Sequence, residues 1–305
     1  MDGPKHMLAI YQAIQSMHNP WIDTFFILLS FLGSEQTYIP LIMVLFWNVD
    51  KRFGLRLAVV FLTSMAFNGL LKDLFHTTRP IGQLDIRSIY LSSAPGNSFP
   101  SGHSQGAATF YLYVWHHWGR QKFWLVIGTF MILGIGFSRL YLGVHWPGDI
   151  LGGYFFGALI VLSFQRIDKA LFKLPISLST KLLLSVTFPL IFLLVYHTTA
   201  GLQMVGFVIG FTSGYFLEDA FLDYRERTQF VPSLLKTVVG LILLGLWLWL
   251  CSPLTQLYSW VYLPVLIIGG LWTSFGAPYI FRRLGWEGPL EKERPTATRI
   301  TGRTG

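Results

Sequence analysis

The sequence predicts an all-α fold, a polytopic membrane helix bundle. The chain is 52% hydrophobic and only 12% charged, where a soluble domain averages about 25% charged residues. Its mean hydropathy is +0.51, and 26 Phe and 11 Trp lie among its 305 residues. The apolar runs approach the roughly 20 residues that a spanning helix needs, with Lys and Arg gathered at their ends as juxtamembrane cations are. That placement assigns the net charge of +8 to a membrane surface rather than to nucleic acid. Cys251 is the single cysteine, which excludes an intrachain disulfide and a cysteine-based zinc site. No cleavable signal peptide is expected, because no small-residue cleavage site follows an apolar core near Met1 to Lys5.

In chain order, Met7, Leu8, Ile10, Tyr11, Ile14 and Met17 fall near helical spacing, so residues 1–20 are read as an interfacial segment. An extension of the first span fits the same spacing. Ten spans follow, at about 21–33, 36–49, 54–73, 103–118, 122–141, 149–165, 181–200, 202–218, 235–251 and 257–276. The first six make a core over 21–167, and about four more helices occupy 168–284. Residues 285–305 are charged, with Gly, Thr and Pro, and are expected to be disordered.

Ten spans put both termini on one side. Of the 23 lysines and arginines, all but Lys72, Arg79, Arg87 and Arg139 then fall on that side. The positive-inside rule makes it cytoplasmic. Lys72, Arg79 and Arg139 belong to three polar islands, KDLFHTTRP at Lys72–Pro80, PSGH at Pro100–His103 and SRLYLGVHWPGD at Ser138–Asp149. All three islands therefore share the outer face. Glu218, Asp219, Asp223, Arg225 and Arg227, on the inner side, read most simply as a solvated charged loop.

Lys72 and Arg79 are seven residues apart, two helical turns, with Pro80 ending the helix near Arg79. Arg offers a planar fork of donors to a phosphate and Lys a point charge, and Arg139 adds a third cation. Ser101 and Gly102 can present N–H groups at a helix start, a natural anion site, with His103 in the first turn. His145 and Asp149 are four apart across the Pro147–Gly148 turn. Asp149 can accept from one ring nitrogen and aim the other outward as a nucleophile. Singly, each island has a plainer reading: snorkelling cations, an ordinary turn and cap, a structural His–Asp link. Together on one face they can grip a phosphate, attack it and protonate its leaving group. His76 lies close enough in sequence to line the pocket, whereas His116 and His117 fall at the cytoplasmic end and His197 on an outer loop without cationic company. No HExxH or paired-aspartate pattern supports metal catalysis.

These residues resemble the signature of the type 2 phosphatidic acid phosphatase superfamily: K, six residues, RP; PSGH; SR, five residues, H, three residues, D. Lys72, Arg79, Pro80, Pro100, Ser101, Gly102, His103, Ser138, Arg139, His145 and Asp149 fill every position. The resemblance covers about residues 21–165. It implies a metal-independent, cofactor-free phosphatase with a phosphohistidine intermediate, in which His145 is the nucleophile, Asp149 its orienter and His103 the general acid. It implies that Lys72, Arg79, Ser101, Gly102 and Arg139 bind the phosphoryl oxygens. The substrate class is then a lipid phosphate or prenyl diphosphate, hydrolysed at the outer face of the cell membrane. The extra C-terminal helices make the layout similar to the sphingosine-phosphate and dolichyl-diphosphate phosphatase branch, and they are a candidate surface for homo-oligomers. Phosphoryl transfer to a second lipid or sugar shares the first half-reaction. A transporter or scramblase with a degenerate site, and a vanadium haloperoxidase, are disfavoured by the complete motif and by the spans respectively.

Overall fold

A computed structural model describes residues 3–83, 86–171 and 176–289, with the side chains of 3–7 and 168–171 left aside. Every regular element among the described residues is helical: α1 Gly3–Gln15, α2 Pro20–Leu32, α3 Glu35–Asn48, α4 Lys51–Phe75, α5 Gly102–His117, α6 Lys122–Tyr141, α7 Pro147–Leu171, α8 Leu178–Leu193, α9 Thr199–Phe221, α10 Phe230–Leu257, α11 Tyr262–Leu271 and α12 Ala277–Arg283. The helix starts follow local chemistry. Asn19 Oδ1 accepts from Trp21 and Ile22 N–H, with Pro20 as the first helical residue of α2. Asp50 caps α4 and Ser101 caps α5 in the same way.

Six helices among the described residues are long and apolar enough to cross a membrane, and seven if α2 and α3 count as one broken span. Ten separate spans are therefore too many. The first two expected spans are not a hairpin, because α2 and α3 meet at a bend of only 50°. Ser34 takes the N-cap position of α3. Gly33 lets the break lie against α6, since a Cβ there would stand 2.4 Å from Ile135. The helices at 102–117 and 178–193 are 16 residues each, short for a span. Of the four expected C-terminal spans, three qualify by length, the last passing from α11 through a π-turn at Trp272–Gly276 into α12.

Counting α2 and α3 as one changes where the ends lie. α1 packs at the end that holds the polar islands: Tyr11 is fully buried and its hydroxyl donates to the carbonyl of His145. It is a separate helix, not an extension of the first span. The far end of the bundle holds Lys51, Trp47 and Tyr224, and the segment after α12 joins it there. Trp286 N–H donates to Phe281 O at 2.8 Å, and Glu287 meets Arg225 at 2.6 Å. The two ends of the described chain thus sit at opposite ends of the bundle, not on one side. Residues 286–288 pack against the bundle where a disordered tail is expected from sequence, and residues 290–305 lie outside the described residues.

The charged segment that the sequence reads as a solvated loop begins inside the last turns of α9 and is partly buried. Glu218 is fully buried, 3.0 Å from Lys51 Nζ, and its Oε1 also accepts from Tyr224 N–H at 2.5 Å. The core is aromatic and central, with Tyr38, Phe46, Trp47, Phe53, Phe61 and Phe211 all buried. Large apolar side chains such as Phe130, Leu133, Phe155, Phe188 and Trp249 face outward, as a lipid-solvated surface requires. α5 and α7 approach closely because Gly153 has no side chain; a Cβ there would stand 2.7 Å from Ser101 O. That contact brings the second and third islands together.

Candidate active site

The α4 helix ends at Phe75, four residues short of Arg79. His76 takes a left-handed conformation (φ 47°) at its C-cap and is exposed, so it stops the helix instead of lining the site. Lys72 and Arg79 therefore do not share a helical face. They meet because the segment Pro95–Ser98 offers carbonyls to both. Arg79 Nε donates to Gly96 O at 2.9 Å, and its Nη2 to Pro95 O at 2.8 Å and Asn97 O at 3.1 Å. Lys72 Nζ donates to Asn97 O at 2.5 Å, while Asn97 Nδ2 returns a bond to Lys72 O at 2.9 Å.

His145 and Asp149 flank the start of α7, where Pro147 and Gly148 open the helix. Both are buried, with 2% and 4% exposure. Arg79 Nη1 lies 2.9 Å from His145 Nε2. A guanidinium can only donate, so Nε2 keeps its lone pair and the proton sits on Nδ1. Nδ1 donates to Asp149 Oδ2 at 3.2 Å. That oxygen also accepts from Trp146 N–H at 2.8 Å and from the Ser98 hydroxyl. Burial, then the positive charges of Arg139, Arg79 and Lys72, hold the His145 imidazole well below the ordinary histidine value. The ring is thus a neutral base with one directed lone pair. Burial also draws Arg79 down to about 10, which leaves it charged at neutral pH.

Arg139, in the last turn of α6, is fully buried. Its Nη1 donates to the hydroxyls of Ser30 and Ser93, and its Nη2 to Ser93 O at 3.0 Å, while Nε has no partner. Ser101 is engaged differently from expectation. Its N–H donates to Asp149 O at 2.9 Å, and its hydroxyl accepts from Ser104 N at 3.4 Å. The open end of α5 therefore begins at Gly102. His103, in the first turn, has its Nε2 buried without a partner. Beneath this turn a buried polar ladder holds α5 to α4: Asn68 Nδ2 bonds Pro100 O and Gln105 Oε1, Gln105 Nε2 bonds Ser64, and Ser64 meets Thr109.

The eight expected site residues converge at one end of the bundle. Among the described residues, no group of three His, Cys, Asp or Glu converges in a way that holds a metal ion. Sequence reading missed Ser98, Asn97, Ser93, Ser30 and Tyr11. Ser98 carries a signal in its place two residues before Pro100. The carbonyls of Pro95 to Asn97 carry none.

Comparison with known proteins points to one family. The description "PAP2 superfamily" matches residues 53–173, and "PAP2 superfamily phosphatase, transmembrane extension" matches 202–289. Phosphatidylglycerophosphatase B of Bacillus subtilis (strain 168) is 29% identical over 174 residues, 53% of this chain and 82% of that protein. YbjG of Escherichia coli (strain K12), named for an undecaprenyl-diphosphatase activity, is 31% identical over 159 residues, 50% of this chain and 76% of that one. A Dictyostelium discoideum protein named "Probable sphingosine-1-phosphate phosphatase" is 28% identical over 160 residues, 48% of this chain but only 38% of its own length.

Proposed function

Because this chain belongs to the PAP2 superfamily of membrane phosphatases, we propose that it hydrolyses a lipid phosphate or diphosphate through a phosphohistidine, without a metal. One observation carries the mechanism: His145 stands with Nδ1 3.2 Å from Asp149 Oδ2 and Nε2 2.9 Å from Arg79 Nη1, a buried arrangement that favours the neutral ring with its lone pair on Nε2. Lys72, Arg79, Arg139 and the N–H groups from Gly102 onward bind the phosphoryl oxygens. The approaching phosphate takes over the Arg79 donor that now lies on Nε2. Nε2 then forms a bond to phosphorus as the bond to the leaving oxygen breaks, and His103 gives that oxygen its proton. Deprotonated His103 next takes a proton from water, whose oxygen attacks phosphorus, and inorganic phosphate and neutral His145 are regenerated. Among substrates, the monoester and diphosphate lipids named in the relatives above form the natural panel.

The same reading puts the site on the extracytoplasmic face. Moving the amino-terminal segment to the site end transfers only Lys5 across the membrane, so the cation asymmetry still supports it.

The test is phosphate release and trapped phosphoenzyme from purified protein, in chelator, across that panel. Turnover should persist in EDTA and be blocked by vanadate, a pentacoordinate mimic of in-line attack. His145→Ala should form no phosphoenzyme. Normal turnover by that variant, or activity that a divalent ion must restore, overturns the mechanism.

A further inference from the structure

We propose that Ser98 is a positioning residue for the nucleophilic histidine, acting through Asp149. This rests on the reading of His145 as nucleophile. Three donors converge on Asp149 Oδ2: the Ser98 hydroxyl in a short bond, Trp146 N–H at 2.8 Å and His145 Nδ1 at 3.2 Å. The ring bond is the longest of the three. The ring therefore does not place the carboxylate. A carboxylate already fixed by the other two donors places the ring. Trp146 belongs to the same turn as Asp149 and moves with it. Ser98 comes from the other side of the site, 51 residues away in sequence, and is fully buried.

Ser98 also lies where the three islands cross. Its N–H donates to Thr77 O at 2.9 Å, its carbonyl faces Lys72 Nζ at 3.5 Å, and its hydroxyl stands 3.5 Å from His145 Nδ1. The backbone contacts tie it to the Lys72–Arg79 island, and the side chain alone reaches the His–Asp pair. Removing the hydroxyl therefore separates the two functions. Ser98→Ala keeps the loop's backbone bonds and gives Asp149 one fixed donor instead of two. The carboxylate gains freedom to turn about its χ2, and Nε2 loses its aim. Loss of aim slows attack more than it weakens binding, because the phosphate is gripped by other groups.

The experiment is a double-mutant cycle on the full-length protein in detergent, with a short-chain lipid phosphate as substrate. Phosphoenzyme formation in a single turnover and steady-state kcat and KM are measured for wild type, Ser98→Ala, Asp149→Asn and the pair. Ser98→Ala should lower the phosphoenzyme rate about tenfold, the scale of one hydrogen bond to a charged group, with KM within about twofold. In the Asp149→Asn background the same change should cost under about threefold, because the partner it acts through is already altered. Ser98→Thr, which keeps a hydroxyl, should recover more than half of the loss. An equal cost in both backgrounds means that Ser98 only supports the loop and overturns the proposal, as does full activity of Ser98→Ala. If instead His145→Ala still turns over, the mechanism itself fails, and that outcome is distinct from either result at Ser98.

Discussion

At His145 the two ring nitrogens face opposite demands. In the proposed mechanism Nδ1 is held while Nε2 attacks, and the neighbours divide along that line: the Asp149 carboxylate on one side, the Arg79 guanidinium on the other. The cations and burial keep the ring neutral below its ordinary pKa of about 6.5. Because only the neutral ring attacks, phosphoenzyme formation should survive a fall in pH through 6.5 and fail only well below it. Replacing Arg79 with Gln removes one of the depressing charges, so this acid limb should move up toward 6.5. Comparing the two kcat/KM profiles with one substrate cancels the titration of the free substrate's phosphate. An unmoved limb would show that Arg79 does not act on His145. The same depression costs stability in acid: below about 6.5 the unfolded chain takes a proton that folded His145 refuses, so unfolding becomes easier as pH falls. Arg79→Lys tests the fork separately. Arg79 now spreads its donors over the carbonyls of Pro95, Gly96, Asn97 and Val144 and over His145, a geometry that one ammonium cannot reproduce. A ten- to hundredfold loss of kcat/KM is expected, on the order of one charge-assisted bond, and an unchanged value would remove Arg79 from phosphate binding.

Among the elements, α1 is where sequence and structure differ most usefully. Its apolar spacing marked a helix, but an amphipathic pattern does not say which surface it meets. In the fold its buried face lies over the turn that carries His145. The Tyr11 ring stands edge-on to Trp146 at 5.9 Å. Gln15 bonds the carbonyls of Arg87 and Tyr141 at 2.7 and 2.9 Å. Tyr11→Phe keeps the ring packing and removes only the bond to the His145 carbonyl. Turnover should fall about two- to tenfold, the range for one neutral hydrogen bond, with KM little changed in steady-state assays. A change confined to KM would mean that α1 meets the substrate instead. The islands were legible because their chemistry is local: His145 and Asp149 need only four residues, and Ser101 caps the helix that it begins. The Pro95–Ser98 hook was not, because carbonyls leave no trace in side-chain identity. The α2–α3 break was misread because a Gly33–Ser34 pair looks like a turn until Ile135 is seen to need the space.

Over the whole molecule, the phosphatase half and the C-terminal helices pack through the shared aromatic core, with Phe46 against Phe211 at 5.0 Å, and an ionic clasp adds to that packing at the end far from the site. Lys51, at the start of α4, donates to Glu218 Oε1 and to Tyr224 O, each at 3.0 Å. Lys236 on α10 donates to Trp47 O and Glu226 O, and Trp47 Nε1 reaches Thr273 O at 2.8 Å. A charged residue after an apolar run reads as solvated when its partner is 167 residues away in sequence, and Glu218 is such a residue. Both charges are withdrawn from water, so the pair's stabilising value depends on both being present. Glu218→Gln leaves the Lys51 ammonium with the exposed Asp223, at 3.6 Å, as its ion-pair partner among the described residues. Breaking a buried pair on one side typically costs about 3–5 kcal/mol. The variant should therefore unfold at a clearly lower temperature in detergent, while the molecules still folded keep their specific activity, because the site lies at the other end of α4. Replacing both partners by apolar residues of similar size, Lys51→Met with Glu218→Leu, should recover most of that loss, since no charge is then left buried. If Glu218→Gln melts like wild type, the clasp does not hold the two halves together. If it melts like wild type yet loses activity, the far end is coupled to the site by some route other than stability.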